Sequence, residues 1–161
     1  MNLMIKRIVF AILIIINCIV IFNFSAQNSE KSSETSGVVV NRVVDTITTV
    51  NKTAKKESLK DKVTFFVRKS AHFLIYTLLG VWLICFVNTF SITARKSLLV
   101  CVILGMLYAI SDEIHQSFIG GRSAELRDVC IDTCGVLFGS FIALGLHRIA
   151  KNISKKIFKT E

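Results

Sequence analysis

Proline is absent from all 161 residues, which removes the commonest cause of a sharp helix kink and leaves straight helices as the expectation. Acidic residues are few, 11 against 20 Lys and Arg, and long stretches of the chain have none. Catalytic signatures are missing too. No HExxH pattern occurs, Glu113-Ile114-His115 sets its two side chains about 200° apart on a helix, and no serine or cysteine sits in a nucleophile motif. The basic balance lacks the aromatic or motif pattern of a nucleic-acid module, so no nucleic-acid partner is expected. Cysteines number five, an odd count that argues against a disulfide framework. All of them (Cys18, Cys85, Cys101, Cys130 and Cys134) fall in apolar stretches, where cysteine behaves as a small apolar residue. Cys130 and Cys134 share a helix face, and packing explains that spacing better than a soft metal, since no further cysteine motif joins them. No metal or other cofactor is expected.

What the chain does have is apolar length. Apolar residues make up 52% of it and the mean hydropathy is +0.60, which suits a small bundle of membrane helices better than a soluble domain. Four spans are predicted in a single 1–161 domain, over about 8–24, 70–90, 97–116 and 129–147. The third is uncharged only from Ser97 to Ser111, so a full crossing carries Asp112, Glu113 and His115 to the interface. Lys6 and Arg7 before the first run also suit a signal peptide, but Phe24 stands where a cleavage site wants a small residue, so an uncleaved helix is expected.

Between the first two spans lies a segment of changing character. SAQNSEKSSETSG is serine-rich and reads as a loop. From Val38 onward, Val39, Val43, Val44, Ile47 and Val50 recur near helical spacing, followed by Lys52, Lys55, Lys56, Lys60 and Lys62. That pattern predicts a basic amphipathic helix on a membrane surface, with anionic lipid head groups as partners; a solvated linker is the bland alternative.

Four spans put both termini on one side. The tight Arg95-Lys96 loop and the basic tail after His147 favour the cytoplasm for that side of a cell membrane, which leaves 25–69 extracytoplasmic; the cations within 25–69 pull the other way, and long connections count less. In either orientation the start of span two, the end of span three and the start of span four share a face. Lys69, His72 and Tyr76 fall on one side of span two. Asp112, His115 and Gln116 form a stripe on span three with Glu113 beside it, and Asp128, Asp132, Gly135 and Gly139 form a stripe on span four. Ionisable groups at membrane depth cost about 2.5–3.5 kcal/mol each even on lenient scales, so this cluster, with Arg122 in the connecting loop, is the candidate site. Gly135 and Gly139 make a small-xxx-small face for helix packing, within the bundle or between copies as a homo-oligomer.

The stretches FNFSAQNSEKSSETS at 22–36, RKSAHFLIYTLLG at 68–80 and SDEIHQSFIGGRSAELRDVCIDTCGVLFG at 111–139 resemble the VanZ-like membrane proteins, the third most specifically. The resemblance matches Lys69, His72, Tyr76, Glu113, Gln116, Arg122 and Asp128 to that family's polar positions. Gly121 precedes Arg122 where the family usually has proline, and Asp132 stands where it often has asparagine. Such proteins are linked to glycopeptide resistance, notably to teicoplanin, in Gram-positive bacteria, so the resemblance implies a cell-envelope role.

Three readings of the cluster follow. The leading one is a binding site on the outer membrane face for an anionic lipid-linked cell-wall precursor or a glycopeptide, because Lys69, Arg122 and Arg127 stand beside the donors His72, Tyr76 and Gln116. The second is a membrane-embedded hydrolase or transferase acting on a lipid-linked precursor. The third is a structural network in which cations neutralise Asp112, Glu113, Asp128 and Asp132.

Overall fold

The structure, a computed structural model, describes residues 2–27, 29–50, 56–119 and 124–157. Those residues are all-helical, without strands. In chain order the helices are α1 (Leu3–Ser25), α2 (Ser29–Val50), α3 (Lys56–Val87), α4 (Ala94–Ser117) and α5 (Leu126–Ile157), with a single 3-10 turn, Asn88–Phe90, between α3 and α4. All but α2 are long and apolar enough to cross a membrane, which makes the chain a multi-pass membrane protein. Large apolar side chains remain exposed around the bundle, among them Ile12, Ile16, Leu99, Leu107 and Phe141. In lipid that exposure carries no penalty, and the interior is held by close packing instead.

Helix α3 is central, touching α1, α2, α4 and α5. Its tightest partner is α5, and the reason is a seam of small residues. A Cβ on Gly80 would collide with the Val136 backbone, one on Gly139 with the Thr77 carbonyl, and one on Gly135 with the Phe73 carbonyl. Only hydrogen in place of a side chain permits this backbone approach. Ser140 reinforces it by donating to Val136 O at 2.8 Å and to Gly80 O at 3.3 Å. Around the seam Tyr76, Leu79, Ile84, Cys101, Ala109 and Val136 form the buried core.

Two expectations for the region before span two are corrected. The serine-rich stretch is not a loop: α2 begins at Ser29 and runs through it. Local propensity is a weak prior, and α2 is held from further along, where Val40 and Val44, each 1% exposed, lie on the helix that packs against α3. The stripe facing the protein is therefore Val40/Val44, while Val39, Val43 and Ile47 stay exposed. Lysine-rich residues from Lys56 to Lys69 belong not to the amphipathic helix but to α3, whose 32 residues span about 48 Å and outreach the roughly 30 Å of a bilayer core. Lys52 and Lys55 lie outside the described residues.

The amino-terminal end is fastened to the α3–α4 connection. Arg7 donates from Nε to Thr89 Oγ1 at 3.2 Å and from its terminal nitrogen to Thr89 O at 3.0 Å, with the guanidinium 4.2 Å above the Phe90 ring. Thr93 caps α4, and Ser91 takes the left-handed conformation that turns the chain into it. This end is opposite the acidic cluster.

Candidate functional site

Four helices contribute polar side chains at the other end. α1 delivers Ser25 at its last turn, α3 delivers Lys69, His72 and Tyr76, α4 delivers Asp112, Glu113 and Gln116, and α5 delivers Asp128 and Asp132. The spacings of three, four and seven residues keep each set on one helix face, and the antiparallel runs bring those faces level. Asp112, Glu113, Gln116 and Asp132 are buried, 4%, 3%, 6% and 1% exposed. Helix packing covers them within the bundle.

Each carboxylate is held differently. Asp112 Oδ2 accepts from Ser25 Oγ at 2.8 Å and from Gln116 Nε2 at 3.1 Å, and Gln116 Nε2 also reaches Ser25 Oγ at 3.3 Å. Glu113 Oε2 accepts the Glu125 backbone N–H at 2.9 Å, which pins the entry of α5 to α4. Asp128 Oδ2 is the ion-pair partner of Lys69. Among the described residues Asp132 has His72 as its nearest cationic partner, Nδ1 to Oδ2 at 3.8 Å, and neither of its oxygens receives a hydrogen bond. Tyr76 is wholly buried, and among the described residues its hydroxyl makes no hydrogen bond of ordinary geometry. The Tyr76 ring centroid is 6.2 Å from that of Tyr108, whose hydroxyl donates to Cys18 O at 2.7 Å and so ties α1 to α4.

Between these groups is a cavity of about 20 Å³, enough for one water or ion, lined by Arg68, Lys69, His72, Gln116, Asp128, Ile131 and Asp132. Donor atoms of His72, Asp112 and Asp132 lie within 4.8 Å of one another, the spacing from which a metal ion can be held.

Some residues singled out from the sequence stand elsewhere. His115 stacks on Phe22, ring centroids 4.4 Å apart, and does not line the cavity. Arg127 is largely exposed and donates to Glu125 Oε2 at 2.7 Å, with its guanidinium over the Phe65 ring. Gly121 and Arg122 lie outside the described residues. Gly135 and Gly139 face α3. Sequence reasoning missed Ser25 and Arg68. Ser25 read as the start of a loop, and nothing local tells of a carboxylate 87 positions away; Arg68 precedes Lys69, where one basic neighbour masks another.

No curated protein and no solved structure matches the chain. The family model described as VanZ/LLP1 matches residues 10–149, from the first turns of α1 to the far part of α5 and including every element of the polar end. The resemblance first carried by three sequence stretches thus extends through the whole bundle, and the chain belongs to the VanZ/LLP1 family.

Proposed function

We propose that this protein works in the bacterial cell envelope by binding an anionic lipid-linked or cell-wall ligand at the polar end of its bundle, on the outer membrane face, and that it contributes to glycopeptide resistance of the teicoplanin type. The observation that carries this reading is the cavity at the bundle end, where Arg68 and Lys69 stand beside the donors His72 and Gln116. Guanidinium and ammonium groups suit phosphate and carboxylate, and α3 extends past the bilayer core from there, so the site lies near head-group depth. Both termini are then cytoplasmic, which agrees with Lys6, Arg7, Arg95, Lys96, Arg148 and Lys151 gathering at the other end.

Growth of cells carrying the wild type, Arg68→Ala or Arg122→Ala at matched membrane levels, across teicoplanin and vancomycin, tests the resistance half. Protection by the wild type that either variant loses supports it. Absence of protection from the wild type removes resistance from the reading.

A second reading, catalysis on a lipid-linked precursor, draws support from one observation, the convergence of His72, Asp112 and Asp132. A purified protein that turns over no lipid-linked phosphate or acyl group excludes it.

A further inference from the structure

Charge at the polar end does not balance among the described residues. Asp112, Glu113, Asp128 and Asp132 converge there, while Arg68 and Lys69 are the cations on the cavity wall. Lys69 is engaged by Asp128, and Arg127 by the exposed Glu125. Four carboxylates against these two cations leave a net charge of two negative among the described residues. Burying a carboxylate without a donor or counter-charge is costly, and Asp132, 1% exposed with both oxygens lacking hydrogen bonds, is in that position. A second, separate sign is Tyr76, 0% exposed, whose hydroxyl makes no hydrogen bond of ordinary geometry among the described residues.

We propose that His72 Nδ1 and the carboxylates of Asp112 and Asp132 bind a divalent first-row cation at the bundle end. One imidazole and two carboxylates suit Mn²⁺, Fe²⁺ or Zn²⁺. Tetrahedral donors at about 2.1 Å from a metal stand about 3.4 Å from one another. The 3.8 Å between His72 Nδ1 and Asp132 Oδ2 is near that value, and every donor separation in the set is within 4.8 Å. Ser25 and Gln116 act as the orienting outer shell, fixing the Asp112 carboxylate by their hydrogen bonds to Oδ2. The cation balances both remaining charges, and it turns an acid-rich pocket into one that accepts an anion, with the coordination positions on the cavity side free for a phosphate or carboxylate oxygen. The last step rests on the binding reading above; the cation site itself does not.

The test uses the full chain, purified into nanodiscs of neutral lipid, stripped with chelator and titrated with Mn²⁺ and Zn²⁺ alone. Expected is one ion per chain, an imidazole nitrogen coupling in the electron spin-echo spectrum of bound Mn²⁺, and affinity at least tenfold weaker for His72→Ala and Asp132→Asn. The exposed Glu125→Gln should bind as the wild type does. Failure of both ions to bind, bound Mn²⁺ without a nitrogen coupling, or unchanged affinity in the variants overturns the cation site. The nitrogen coupling is read on the wild type, so a variant that fails to fold does not decide the outcome. Adding a polyprenyl phosphate separates the two claims. A chain that binds metal but no phosphate keeps the cation site and loses the binding reading; phosphate capture that persists in chelator keeps the binding reading and overturns the bridging role of the cation.

Discussion

Asp112 and Glu113 are neighbours in sequence, yet one is tied to α1 and the other to the start of α5. Glu113 accepts a backbone N–H, so its amide analogue keeps an acceptor oxygen in the same place. Glu113→Gln should therefore unfold close to the wild type, whereas Glu113→Ala, which leaves a half-buried amide without a partner, should lose about 1–3 kcal/mol. Thermal unfolding in detergent, followed by size-exclusion retention, measures both; equal losses contradict the anchoring role. Ser25→Ala removes one of the two donors to Asp112 Oδ2 while Gln116 remains, and about 1 kcal/mol is the expected loss by the same measurement. Asp132 differs from both, because among the described residues it has no donor to lose.

At the scale of elements, the seam between α3 and α5 sets where every polar group stands. Gly139→Ala places a methyl against the Thr77 carbonyl, backbone on backbone, and overpacking of this kind costs about 1–3 kcal/mol. Gly145, on the same helix, has open space where a Cβ would go, so Gly145→Ala should cost nothing and gain up to about 1 kcal/mol from helix propensity. Comparing melting temperatures of the two variants in one detergent checks the seam; similar behaviour of the pair argues against it. The four spans and the convergence of their polar stripes were legible in the sequence because apolar runs and spacings of three, four and seven are local signals. The course of α2 was not, since its serines carry no helical signal and the contact of the helix with α3 comes through Val40 and Val44 further on. That His72, Asp112 and Asp132 share one end was legible with the stripes, but the approach of their donor atoms to within 4.8 Å was not, since side-chain packing between three helices sets it and no motif along the chain spells it. Arg127, grouped from the sequence with Lys69 and Arg122 as a cation of the cluster, instead faces Glu125 and Phe65.

The whole molecule is a bundle with two unlike ends, one basic and carrying both termini, the other acid-rich and holding the cavity. If the basic end faces the cytoplasm, a fluorescent protein fused after Glu161 should fluoresce and an alkaline phosphatase fused there should stay inactive; the reverse pattern moves the site to the inner face. What separates a working site from a structural pairing network is a side chain that lines the cavity without an ion-pair partner among the described residues, and Arg68 is that side chain. Binding of a polyprenyl phosphate and of the uncharged polyprenol to the purified chain in nanodiscs, wild type against Arg68→Ala, is the most direct measurement. Capture of the phosphate and not the alcohol by the wild type, weakened at least tenfold in a variant that melts at the wild-type temperature, is the predicted result. Equal capture of phosphate and alcohol, or none of either, would contradict a site for an anionic lipid-linked ligand and leave the cluster as the joint that holds four helices together.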